Sequence, residues 1–205
     1  MKDNSNKTLL VSGCSRTFGY NLKCSVFYEL SHPGNIPSPN AWPAVYAKLA
    51  GYKTVNNIAA PGASNHYIVR SIINKATELL DSNNAFDIAV MWTNSNRFEY
   101  YKKCGTFSYW THHTAWEPYI MSKYFMRYVS DQHWEKESDL SAIMLAEFTQ
   151  RMNINFYQCQ SATKQQQRII FNIEHNALPC RHPNEDGHQH AAHVLYNMWH
   201  NKTGE

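Results

Sequence analysis

The sequence contains no run approaching the roughly eighteen consecutive apolar residues that a membrane span requires, so no membrane partner is expected. Its opening, MKDNSNKTLLVSG, has neither a long apolar segment nor a small-residue cleavage site; no secretory leader is expected, and the expected compartment is the cytoplasm. Cysteine is sparse. Five residues (Cys14, Cys24, Cys104, Cys159 and Cys180) form an odd number at irregular spacings, which favours free thiols over a disulfide framework. Charge of one sign is also scarce: the formal net charge is +3 and the basic residues are scattered, so nucleic acid is not an expected partner. Internal repeats and low-complexity tracts are missing, which excludes solenoids and disordered linkers.

What remains is an ordinary globular composition, 43% hydrophobic and 17% charged, over 205 residues, enough for a single core. Two features stand out: aromatics make up 14% of the chain and crowd residues 98–135, and several of the eleven histidines crowd the end. Four short apolar runs read as strands: Leu9–Ser12, Val55–Ile58, Ile88–Trp92 and Ile169–Ile173. Between them lie helical patterns. NAWPAVYAKLAGY stops at Gly51, and SNHYIVRSIINKATELLD starts at a Ser64 or Asn65 cap. Further helices are expected around Pro118–Val129, over Asp139–Met152, and through NEDGHQHAAHVLYNMWH. Strands alternating with helices imply an α/β fold, a three-layer α/β/α sandwich around a central parallel sheet of four or five strands. One domain over residues 1–205 is expected, with an aromatic-rich insertion or lid at about 98–135.

In such a sheet, reactive residues gather in the loops beyond the carboxyl ends of the strands. Those loops supply Cys14 and Ser15, then Pro61–Asn65, then Thr93–Arg97, then Cys180–Asn184. A hydroxyl, a glycine amide, a carboxamide and an imidazole are the parts of a nucleophile, an oxyanion hole and a general base. Each has a plainer reading as well. Ser15 suits a helix N-cap, Gly62 a turn, Asn94 a turn cap and His182 a surface loop. Cys14 reads as small buried packing, and Arg97 with Glu99 as a structural ion pair. Cys180, His182, His188 and His190 have ligand chemistry, but their spacing matches no closed zinc pattern, so neither metal nor other cofactor is expected.

Taken together, SGCSRT, NNIAAPGASN, VMWTNSNR and RHPNEDGHQHAA resemble, in order, the four blocks of the SGNH (GDSL-like) hydrolase superfamily. The wording is most similar to small SGNH-like proteins of tailed phages, for which the compartment would be the host cytoplasm. The resemblance implies a flavodoxin-like SGNH fold with Ser15 as nucleophile and His182 as base. It implies an oxyanion hole of the Ser15 and Gly62 amides with Asn94, and no cofactor. The implied activity is that of an esterase or deacetylase on a carboxylic ester, an O-acyl group on a carbohydrate or small metabolite. Two departures matter. Cys14 stands where the family usually has aspartate before the serine, and Pro179 stands where it has the triad aspartate, three residues before the histidine. The third triad member is therefore open among a backbone carbonyl, Glu174, Glu185 and Asp186, with Glu174 and Asp186 the leading carboxylates, and a Ser–His dyad is the other arrangement. The resemblance leaves two alternatives: a catalytically degenerate fold that binds a ligand or partner, and an acyltransferase using the same residues. The aromatic segment suits sugar stacking, internal packing or a homo-oligomer contact alike.

Overall fold

The computed structural model describes residues 3–28, 34–104, 107–114, 131–161, 163–180 and 182–200. Strand β1 (Thr8–Ser12) leads into a single-turn helix α1 (Ser15–Phe18), followed by α2 (Trp42–Leu49), β2 (Thr54–Asn57), α3 (Asn65–Asp81) and β3 (Phe86–Trp92). A hairpin of β4 (Arg97–Cys104) and β5 (Phe107–Thr114) follows, then α4 (Asp131–Arg151), β6 (Phe156–Gln160), α5 (Lys164–Phe171) and α6 (Glu185–His200). The main sheet has the order β2-β1-β3-β6 and every pairing in it is parallel. Strands β4 and β5 form a separate antiparallel pair. The chain is thus an α/β fold with a four-stranded central parallel sheet.

Strand alternation sorts the core into two layers. Leu9 and Val11 of β1, Ala89 and Met91 of β3, and Cys159 of β6 face Trp42 and Tyr46 of α2, Phe171 of α5 and Leu195 of α6. Leu10, Ile88, Val90 and Trp92 point the other way, onto Ile68 and Ile72 of α3 and Leu145 of α4. Every residue of β3 is buried, as expected of a central strand covered on both faces. At the amino-terminal edge, β3 also buries a carboxylate. Asp87 accepts from Tyr52 Oη at 2.8 Å, Asn155 Nδ2 at 2.9 Å and Lys7 Nζ at 3.1 Å. Burial and the adjacent Asp87 charge push the Tyr52 phenol well up, so it stays a donor.

One expected strand is a helix. Ile169–Ile173 overlaps α5, and the fourth strand is Phe156–Gln160 instead. The cause is local: Thr163 accepts from the Gln166 amide while the Gln166 side chain accepts from the Thr163 amide, a reciprocal cap that starts a helix. Ile170 and Phe171 then bury while Ile169 stays exposed, and Asn172 ends the helix in the left-handed conformation at φ 50°. The helix expected around Pro118–Val129 lies outside the described residues. Of the expected insertion, the described part up to residue 114 is the β4–β5 hairpin.

Two stability outcomes follow from these contacts. Asp87→Ala strands Lys7 and the Tyr52 hydroxyl and should cost about 3 kcal/mol or more, read as a lower urea midpoint at unchanged slope; a loss under about 0.5 kcal/mol would contradict the network. His188 of α6 is buried and its Nδ1 accepts from the Trp42 amide at 3.1 Å, where α2 begins. Burial, with His182 and Arg16 nearby, pulls its pKa down to about 3. The unfolded chain takes up a proton near the ordinary pKa of about 6.5 and the folded chain does not. His188 therefore stabilises above that value, and the stabilisation should drain away as pH falls from about 6.5 towards 3. His188→Gln should flatten that pH slope in chemical denaturation; an unchanged slope would place the acid sensitivity elsewhere.

Candidate active site

Parallel pairing puts the carboxyl ends of all four strands on one edge of the sheet, and β1 and β3 lie side by side where the strand order reverses direction. From β1 the chain turns sharply at Gly13. A Cβ there would lie 2.1 Å from Thr17 Oγ1 and 3.1 Å from the Met91 carbonyl, so only glycine lets α1 start this close to β3. Cys14 holds the N-cap position of α1 without a side-chain bond, and Ser15 is the first helical residue. Ser15 is therefore not the cap, and its hydroxyl is turned to other use.

That hydroxyl lies 3.0 Å from His182 Nε2. Sequence placed His182 just after a strand; in the structure it sits on a tight loop between α5 and α6. The Leu178 amide donates to the His182 carbonyl at 2.7 Å, and Ala177 pairs with Pro183 as an isolated antiparallel bridge. Asn21 Nδ2 reaches the Cys180 sulfur at 3.3 Å, tying this loop to the segment after α1. The Tyr20 ring stands edge-on to the imidazole with centroids 5.6 Å apart. Burial first, then the Arg16 and Arg97 charges, lowers the His182 pKa below the ordinary histidine value, so the ring is neutral at neutral pH.

No carboxylate among the described residues meets the far ring nitrogen. His182 Nδ1 is buried without a hydrogen-bond partner among the described residues. The Cys180 carbonyl favours the protonated ring but stands outside hydrogen-bond geometry with Nδ1. Neither expected acid fills the place. Glu174 is held at 2.9 Å by Arg168 Nε, within one stretch of surface, and Asp186 is exposed in the first turn of α6. Neither is hydrogen-bonded to Nδ1 in this structure.

The other expected residues sit on loops at the same sheet edge. Gly62 follows Pro61 in the turn before α3, with φ 82°, a left-handed conformation that favours glycine. Asn94 is half-buried in the loop after β3, and its carbonyl accepts from the Arg97 amide at 3.3 Å. Ser64 caps α3, accepting from the Tyr67 amide at 3.1 Å. Its neighbour Asn65 does something the sequence did not reveal. Asn65 Oδ1 accepts from the Thr93 amide at 2.9 Å, and its Nδ2 donates to the Thr93 carbonyl at 3.3 Å and Ser138 Oγ at 3.0 Å. That fork ties the Gly62 turn to the Asn94 loop and fixes the two against each other. Asn65, Thr93 and Ser95 also line a cleft of about 360 Å³ reaching Glu135 and Asp139 of α4.

The expected Arg97–Glu99 pair is absent. Glu99 accepts instead from Arg70 Nη2 of α3 at 3.0 Å, while Arg97 Nη1 reaches the Ala63 carbonyl at 3.5 Å. The cysteine before Ser15 is fully buried. Burial pushes its thiol pKa up, but the Arg97 and Arg16 guanidiniums outweigh this and leave it below the ordinary value. Of the four histidine-tail atoms with ligand chemistry, His188 is committed to the Trp42 amide and Cys180 lies on the surface with Asn21. Among the described residues no group of three or more His, Cys, Asp or Glu side chains is placed to hold a metal ion. Nor is any described helix long and apolar enough to cross a membrane.

No family model matches the chain, and no curated protein matches it. Among solved structures it is similar to a member of the lipolytic protein G-D-S-L family from Veillonella parvula, at 15% identity, covering 96% of this chain and 100% of that one, with a TM-score of 0.40. It is similar to a catalytic mutant of an acetylxylan esterase from Geobacillus stearothermophilus at 14% identity, covering 95% and 94%, with a TM-score of 0.45. A third similarity is to an acetyl xylan esterase from the rumen bacterium Butyrivibrio proteoclasticus, at 14% identity, covering 96% of this chain and 64% of that one, with a TM-score of 0.49. At these levels the fold rests on this chain's own strand order and register, and the activities of those proteins remain theirs.

Proposed function

We propose that the chain is a serine hydrolase of the SGNH kind that cleaves a carboxylic ester through an acyl-enzyme. The observation that carries the reading is the 3.0 Å approach of Ser15 Oγ to His182 Nε2, from loops 167 residues apart in sequence. The pair lies at the carboxyl edge of a parallel sheet, with Ser15 buried and His182 half-buried, where such folds place reactive groups. In this reading Ser15 Oγ attacks the acyl carbon while neutral His182 takes its proton. The Ser15 and Gly62 amides and the Asn94 carboxamide stabilise the tetrahedral oxyanion. His182 then returns the proton to the leaving alcohol, and a water activated by the same ring releases the acyl group from Ser15. The alcohol is a carbohydrate or similar metabolite, a choice supported by the aromatic content of residues 98–135.

The site works as a dyad in this account. For Ser15 to donate, the ring proton must sit on Nδ1, which is buried and has no hydrogen-bond acceptor among the described residues. Leaving such a donor unsatisfied costs about 1–3 kcal/mol, and losing the orienting acid of a triad slows it by as much as about 10⁴-fold. The same orphaned nitrogen favours a second reading, a fold that retains the binding site and has lost turnover.

A fluorophosphonate probe separates the two. It should label the protein at Ser15, and Ser15→Ala should abolish the labelling; an unlabelled wild-type protein favours the binding reading. With p-nitrophenyl acetate, kcat/KM should fall on the acid side as His182 takes up a proton. Because its pKa is lowered, that limb should have its midpoint below about 6.5, and a midpoint at or above neutrality would remove His182 as the base. Asn94→Ala should lower kcat about a hundredfold if its amide serves the oxyanion; an unchanged kcat would reduce Asn94 to a turn residue.

A further inference from the structure

Two guanidiniums, those of Arg16 and Arg97, act on the His182 ring, and among the described residues no carboxylate pairs with either. Arg16 follows Ser15 directly in α1, and Arg97 opens β4 after the Asn94 loop, its Nη1 3.5 Å from the carbonyl next to Gly62. The side chains are half-buried, yet the Nε atom of each is shut off from solvent without an acceptor among the described residues. Acidic side chains that could have served are engaged elsewhere: Glu99 by Arg70, Glu137 by His66, Glu174 by Arg168 and Glu185 by Asn40. The buried Cys14 sulfur lies in the field of both arginines and interacts with the Arg16 side chain, but one sulfur cannot satisfy two five-donor forks. A half-buried cation with a water-excluded, unmatched nitrogen is costly, and two such cations repel.

We propose that Arg16 and Arg97 form a receptor for an anionic group, a carboxylate or a phosphate, carried by the substrate beside its scissile ester. Guanidinium forks match the paired oxygens of both groups, and in a site shielded from water such contacts gain strength. The anion would supply the missing counter-charge. It would also relieve the positive field on His182, making the ring a better base when substrate is present than when it is absent. Anion binding stands on the arginines alone; its role in catalysis rests on the ester-hydrolase reading.

The test has two arms on the full-length protein. In the first, succinate and inorganic phosphate are titrated separately while the His182 ring is followed by ¹H–¹⁵N NMR, with His182→Gln assigning the signal. Saturable binding is expected, with an upward move of the His182 titration midpoint, and Arg97→Gln and Arg16→Gln should each weaken binding at least tenfold. Arg97→Lys, which keeps the charge and loses the fork, should fall between. Tighter binding of succinate identifies a carboxylate-bearing substrate, and tighter binding of phosphate a phosphorylated one. In the second arm, the wild-type kcat/KM for the p-nitrophenyl monoester of succinate is divided by that for p-nitrophenyl butyrate. A ratio of at least ten is expected if the anion is a carboxylate. Hydrolysis of both esters without saturable binding of either anion would overturn the receptor and leave the hydrolase. Saturable binding lost in Arg97→Gln, with neither ester turned over, would overturn the hydrolase and leave the receptor.

Discussion

The double pairing of β1, with β2 on one edge and β3 on the other, fixes where chemistry can occur in this protein. Because both pairings are parallel, the ends of β1, β2 and β3 come out on one side, and the loops carrying Ser15, Gly62 and Asn94 share that side. The register Ser12↔Val90 sets the end of β1 two residues short of the end of β3. Gly13 then allows α1 to begin against the Met91 carbonyl, where any side chain would collide. The rest is held from behind: the buried Asp87 network locks the opposite end of β3, and the Asn65 fork locks Thr93 at its near end.

Charge gives the site its character. A conventional triad offsets the developing imidazolium with a carboxylate. Here no carboxylate among the described residues meets His182 Nδ1, and the Arg16 and Arg97 charges favour the neutral ring. Burial contributes the largest part of that depression, with Arg16 next. A site arranged this way is poorly matched to a neutral ester and better matched to one that brings its own negative charge. In the proposed receptor, the Nδ1 and the two Nε atoms that find no partner among the described residues belong to one feature, a place for the substrate's negative charge.

Much of the fold was legible because buried parallel strands read as short apolar runs. Leu9–Ser12 and Ile88–Trp92 are such runs, and the structure extends each by only one or two residues. Strand β6 was not legible. It is an edge strand, and Phe156–Gln160 alternates partly buried and exposed side chains with one buried cysteine, too little apolar signal to stand out. Its neighbour RIIF carried the signal instead, although Thr163 and Gln166 mark a helix start. At the site, Ser15 and His182 stood out by their types and order, and the structure sets their side chains together, one at the start of α1 and one on the loop before α6. The arginines were not. Arg97 and Glu99 are two apart on one strand, which reads as a pair until Arg70 arrives from α3, a long-range contact no local pattern contains.

The central claim is that Ser15 carries an acyl group during turnover, and it can be tested at the residue level. Protein mixed with p-nitrophenyl acetate, quenched in acid within the first turnover and digested, should yield the peptide around Ser15 with acetyl on the serine oxygen. Fragmentation distinguishes that oxygen from the adjoining Cys14 sulfur, which is fully buried. Acetyl on Ser15 in wild-type protein, and none in Ser15→Ala, is the result this account predicts. Acetyl on Cys14, or turnover continuing in Ser15→Ala, would contradict it.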